Sequence, residues 1–181
     1  MAVAPAGIVT FWTEAGPEKW FKKDAAFDQT IAARFGGTVD NALSGGLDRW
    51  SETPSGTLAL ILVLDQFTRN IWREDARAFS GDEKALTVAQ RAIERGQDML
   101  LLPVERKWLY MPFMHSERLD VQEQGLVYFK DRLDDAYTYD YAVLHRDIIE
   151  RFGRFPHRNG LLGRVPTEQE QVFLDEGGFG G

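Results

Sequence analysis

TPSGTLALILVLDQFTRNIW, residues 53–72, is the stretch on which the fold class turns. Thr53 is a good helix cap and Pro54 suits the first helical position, where its missing N–H costs nothing. Leu58, Leu60, Ile61, Leu62, Val63 and Leu64 then follow with no polar face, which predicts a segment buried on every side. A buried strand rivals a helix for that run alone. Asp65 to Trp72 continue it without a turn signal, however, and the whole is too long for an ordinary strand.

Outward from this segment the apolar residues recur at helical spacing. Trp20, Phe27, Ile31 and Phe35 predict a helix from about Glu18 to Phe35, opened by Pro17 and closed by Gly36-Gly37. Residues 41–50 read as a short helix or turn broken by Gly45-Gly46. Ser80 with Glu83 has capping-box spacing before an alanine-rich helix from Asp82 to Arg95, which Gly96 ends. Pro103 and Pro112 delimit a further short helix. Leu119, Leu126, Phe129 and Leu133 form one stripe, and Tyr141, Leu144, Ile148 and Phe152 another. Thr167 with Glu170 caps a last helix to about Leu174. With short connections and no hairpin or βαβ pattern, the expectation is an all-α antiparallel helical array: one domain over residues 1–175 and a flexible glycine-rich tail over 176–181.

Composition narrows the function classes. The net charge of −7 disfavours nucleic acid and anionic membrane surfaces as partners. The absence of cysteine excludes disulfides, thiolate catalysis and sulfur-ligated metals. No signal-like segment and no apolar run of membrane-spanning length is present, so a cytoplasmic location is expected. No His-Glu-x-x-His, Glu-x-x-His or calcium-loop pattern occurs, and neither a metal nor another cofactor is expected.

The informative residues are polar ones on apolar helix faces. Asp24 and Asp28 project within the arc of Trp20, Phe21, Ile31 and Phe35. Asp65, Arg69 and Arg73 follow the face of Leu58 and Leu62, Gln122 falls among Leu119, Leu126 and Phe129, and His145 sits between Leu144, Ile148 and Phe152. Such groups must be hydrogen-bonded or paired, which predicts a connected network. Arg151 to Asn159, with Arg164 beyond, concentrates donors suited to a carboxylate or phosphate: Arg151, Arg154, His157, Arg158 and Asn159. A bland reading pairs these arginines with Asp24, Asp28 and Asp65. His115 and Glu117 are two apart and so cannot share a helix face.

Four motifs, Trp20 to Asp24, Leu64 to Asn70, Met111 to Glu117 and Arg151 to Asn159, together resemble the bacterial domain-of-unknown-function 924 family from about Phe11 to Leu174. The resemblance implies an all-helical, tetratricopeptide-like superhelix. It carries over Asp24, Asp28, Asp65, Gln66, Arg69, Asn70, His115, Glu117, Gln122, His145, Arg151, Arg154, His157, Arg158 and Asn159 as motif positions, and it implies no activity. Thr68 stands where the family pattern expects proline, and residues 11–13 read Phe-Trp-Thr rather than Phe-Trp-Phe.

Three functions fit these residues. The first is a groove that binds a small anionic ligand or an acidic peptide through Arg69, Arg73, Arg151, Arg154 and Arg158. The second is a hydrolase or transferase on an anionic substrate, with His145 or His157 as general base and Asp65 orienting it. The third is an interaction module without a ligand.

Overall fold

The computed structural model describes residues 3–20 and 22–180, and every regular element in them is helical. The all-α expectation holds. Phe21, expected on the first apolar arc, lies outside the described residues. The chain forms two compact units. The first runs to Arg73 and resumes from Arg77 to Pro112, and the second comprises Glu74–Ala76 and the chain from Phe113 onward.

In the first unit, helices α1 (Pro5–Ala15), α2 (Pro17–Trp20), α3 (Ala25–Leu43) and α6 (Asp82–Glu94) accompany a central helical segment. That segment is residues 53–72. Thr53 caps α4 (Pro54–Ile61) by accepting from the Gly56 amide, a wider π turn follows over Leu62–Phe67, and α5 (Thr68–Ile71) completes it. α1, α3 and α6 all pack on it, and Leu58 through Phe67 are buried without interruption. The polar side chains of the π turn repair its backbone. Thr68 Oγ1 donates to the Leu64 carbonyl at 2.9 Å and Arg69 Nη1 to the Asp65 carbonyl at 2.6 Å.

Several expected boundaries move, each for a local reason. The helix foreseen from Glu18 to Phe35 is two helices, because Asp24 leaves the helix and becomes the N-cap of α3, accepting from the amides of Ala26 and Phe27. Gly36-Gly37 do not end α3, which continues to Leu43 because Val39 and Ala42 prolong its buried stripe. The Ser80 capping box does not form. Gly81 is the N-cap of α6, and Ser80 Oγ donates to the Arg77 carbonyl instead.

Space selects that glycine. A Cβ at Gly81 would run into the Leu64 carbonyl, with the Leu64 Cα only 3.0 Å away. Gly81→Ala is therefore expected to destabilise the protein by about 1–3 kcal/mol, the usual range for overpacking a tight contact. Urea unfolding at constant m-value would measure it, and a loss below about 0.5 kcal/mol would contradict so close an approach.

Aromatic rings complete this unit. Trp12 stands edge-on to Trp108 at 5.1 Å, Phe35 stacks on Phe67 at 5.2 Å, and Trp20 Nε1 donates to the Trp12 carbonyl at 2.7 Å. α7 (Pro103–Met114) includes Pro112 rather than ending before it, and its residues Phe113 and Met114 belong to the second unit.

The second unit is a hairpin of α8 (Leu119–Arg132) and α9 (Ala136–Phe152) followed by α10 (Glu168–Asp175). Its stripes are rotated from those foreseen. On α9 Tyr141 and Leu144 are exposed, while Thr138, Ala142, His145, Ile148 and Ile149 are buried. On α8 the buried positions are Val121, Gln122, Gly125 and Phe129. The foreseen capping box of Thr167 and Glu170 does form at the start of α10.

Candidate functional site

In the first unit the acidic and basic residues of the central segment neutralise one another. Asp65, with no solvent exposure, accepts from Gln66 Nε2 at 2.6 Å and Arg69 Nη1 at 3.1 Å. The guanidinium of Arg69 also makes a two-pronged contact with Asp82, at 2.8 and 3.0 Å, and lies over the ring of Phe79. Burial works against its charge, and the carboxylates of Asp82 and Asp65 outweigh that, so its pKa is raised. Asp28 accepts from both Asn70, at 2.7 Å, and Arg73, at 2.8 and 2.7 Å. Asp28 and Asp24 are half-buried rather than buried. The expected network therefore exists here. Its anionic partners are internal.

The second unit holds all three histidines of the chain. His145, buried on α9, hydrogen-bonds through Nδ1 to the Tyr141 carbonyl at 2.7 Å; a carbonyl can only accept, so Nδ1 carries the proton and Nε2 is the basic nitrogen of the neutral ring. Its ring centre is 6.4 Å from His115, 5.6 Å from Phe155 and 4.6 Å from Phe179. His157 completes the group, 5.5 Å from Phe155 and 5.3 Å from Phe179. The Nδ1 side of His145 is oriented by its own helix through the Tyr141 carbonyl, and the Asp65 oxygens accept from Gln66 and Arg69.

Phe179 comes from the segment read as a loose tail. α10 ends with Gly177 at a φ of 80°, where the amide of Gly177 meets the Leu174 carbonyl and that of Gly178 the Phe173 carbonyl. This paired closing turn directs the chain back along α10 toward the histidines.

Two arginines, Arg154 and Arg164, are held by glutamates that had not been foreseen as their partners. Glu170, 1% exposed, is held by Arg154 Nε and Nη2 at 2.6 and 2.7 Å, by Asn159 Nδ2 at 3.3 Å and by the Thr167 amide. The Arg154 hydrogen bonds lead among the groups that hold its carboxyl down at about 2 against the opposing effect of burial. Glu117 accepts from Arg164 at 2.6 and 2.9 Å and from the Phe155 amide at 2.8 Å. Burial would raise its pKa, but the Arg164 hydrogen bonds, that amide and the charges of Arg164 and Arg158 leave it lowered.

Arg158 is buried against the Phe155 ring at 4.6 Å and donates to the His115 carbonyl at 3.0 Å. Arg151 is exposed, its guanidinium over Phe152 and Phe173 at 4.6 and 5.7 Å. Gln122 donates to the carbonyls of Met114 and Ser116, fixing the loop that carries His115 and Glu117. Within the second unit, Arg154 is thus paired with Glu170 and Arg164 with Glu117. Sequence reading had Glu170 only as a cap and missed Asp82 as a counter-ion altogether. Among the described residues no three His, Asp or Glu side chains gather as metal ligands, and no helix is long and apolar enough to cross a membrane.

A family model described as bacterial protein of unknown function (DUF924) matches residues 8–178. The chain belongs to the DUF924 family. A solved structure of a protein of unknown function from Agrobacterium tumefaciens is similar to this DUF924 chain, with 43% identity over 96% of this chain and 97% of that one and a TM-score of 0.91. Comparison with curated proteins gave no match.

Proposed function

We propose that this DUF924 protein binds a small anionic ligand or an acidic peptide at the arginine and histidine cluster of its second unit. One observation carries the reading. Arg151 stands exposed beside the paired Arg154 and Arg164, with its guanidinium over Phe152 and Phe173 and no carboxylate partner among the described residues, so the cluster presents an unpaired positive charge in a chain of net charge −7. A low-dielectric aromatic floor of Phe155 beneath Arg158 strengthens the attraction for an anion. Asp65, Gln66, Arg69, Asn70 and Arg73, with Asp24 and Asp28, then serve the fold of the first unit rather than the ligand.

The test is thermal unfolding with phosphate, sulfate, citrate and a glutamate-rich peptide. A ligand at a hundred times its Kd stabilises by about 2.7 kcal/mol, which for a chain of this length is a rise of roughly 5–10 °C. Arg151→Ala, an exposed change that leaves Glu170 paired, should abolish much of that rise. No rise with any of the four ligands would sink the proposal and favour an interaction module without a ligand. An enzyme using His145 as general base is a second reading, supported by the fixed tautomer that makes Nε2 the basic nitrogen.

A further inference from the structure

A groove of about 370 Å³ lies in the first unit, lined by residues of α1, α2 and the first turns of α3, among them the cap residue Asp24. Its volume falls within the range of small-molecule sites, roughly 300–1,000 Å³. The floor is aromatic. Phe11 of α1 and Phe27 of α3 stack nearly parallel, 10° apart with centroids 5.6 Å apart. A cation stands over each ring: Lys19 Nζ is 5.5 Å from the centre of Phe27, and the Arg34 guanidinium is 4.7 Å from Phe11 and 5.0 Å from Phe35.

These two cations differ from the arginines of the central segment. Arg69 and Arg73 are committed to Asp82, Asp65 and Asp28. Among the described residues, Lys19 and Arg34 have ring contacts and no carboxylate partner. The Arg34 guanidinium is held over Phe11 and Phe35 and not on a carboxylate. Its edge, with the N–H fork, is the part that recognises a carboxylate. The acids on the rim oppose an anion less than their number suggests, since Asp24 is turned to the Ala26 and Phe27 amides and Glu14 is exposed to solvent.

From this geometry we propose that the groove is a binding site for a small aromatic carboxylate. The ring of the ligand lies against the Phe11 and Phe27 pair, where burial of apolar area supplies the affinity. Its carboxylate takes the N–H edge of Arg34, with Lys19 adding charge from the other ring. Both requirements hold at once: an aliphatic acid loses the stacking, and an aromatic cation meets two like charges. The site is independent of the arginine and histidine cluster of the second unit.

The probes are 2-naphthoate, cyclohexanecarboxylate and 2-naphthylmethylammonium, titrated calorimetrically against the full chain, with tryptophan emission as a second readout because Trp12 lies 6.2 Å from Phe27. 2-Naphthoate is expected to bind at least tenfold more tightly than either of the others. Arg34→Gln and Lys19→Gln, both at exposed positions, should each weaken it five- to tenfold with unchanged circular dichroism. Arg151→Ala should leave it unchanged, which separates this site from the anion site of the second unit. Equal binding of the three probes, no binding of naphthoate, naphthoate binding indifferent to Arg34→Gln and Lys19→Gln, or a loss on Arg151→Ala instead would each overturn the proposal.

Discussion

Arg69→Ala lowers the melting temperature by about 6–20 °C. Removing one partner of a buried ion pair costs roughly 3–5 kcal/mol when the other charge is left uncompensated, and a chain of this length loses about 2–4 °C per kcal/mol. Burial puts the pair in that range. Asp65 has no exposure to solvent, and Asp82 keeps only 17% of its side-chain surface, so neither carboxylate can turn to water. Asp65 also loses the donor to its main-chain carbonyl in the π turn, a bond of 2.6 Å. Arg69→Lys should recover part of the loss, since it restores the charge but not the fork that spans Asp65 and Asp82. Arg73→Ala is the internal comparison. Asn70 still donates to Asp28 and the site is more open, so about 1–2 kcal/mol is expected there. Circular dichroism melts of the three variants decide the matter, and an Arg69→Ala protein that melts within about 2 °C of the parent would show that the network is dispensable.

The fold class was legible because it rests on local periodicity. The run from Leu58 to Leu64 demands burial on all sides, and the structure places it at the centre of the first unit. Helix phase was less legible. A stripe read across residues 20–35 assumes one helix, but Asp24 stops and restarts the backbone, so Trp20 and Phe27 belong to different helices. On α9 the apolar letters Tyr141 and Leu144 drew the stripe to one side of the buried face. His145 is buried all the same, because it can satisfy Nδ1 on its own helix and present the rest of its ring to Phe155 and Phe179.

The candidate site was legible in its residue types and not in its pairings. Periodicity reports neighbours three and four apart, whereas Glu117 meets Arg164 across 47 residues and the Phe155 amide across 38. Glu117, Arg154 and Arg164 lie on loops or turns, where a helical wheel carries no phase information. The inward-facing aspartates were the natural counter-ions on the wheel. Asp28 and Asp65 find donors within their own unit in Arg73, Asn70, Arg69 and Gln66, and in the second unit Arg154 and Arg164 are held by two glutamates, of which one had been read only as a helix cap.

That glutamate also predicts how acid acts on the second unit. The Glu170 carboxyl, ordinarily near 4.5, is held at about 2 in the folded chain, chiefly by Arg154. A depressed value means the folded state favours the ionised form, so the stabilisation is complete above pH 4.5 and is lost progressively as the pH falls toward about 2. Glu117, lowered for similar reasons, acts in the same sense. Glu170→Gln removes this titration while keeping an oxygen for the Thr167 amide and for Asn159. At pH 7 the variant should be less stable by about 1.5–3 kcal/mol, the range for hydrogen bonds to a charged group. The loss stays below that of Arg69→Ala because Arg154 keeps 27% of its side-chain surface and can be solvated when its partner is neutral. As the pH falls from 6 to 3, the parent should approach the variant, so that the gap between their melting temperatures narrows steadily. A gap that stays constant across that window would mean that the Glu170 carboxyl titrates alike in the folded and unfolded chain, and the hold assigned to Arg154 would have to be withdrawn.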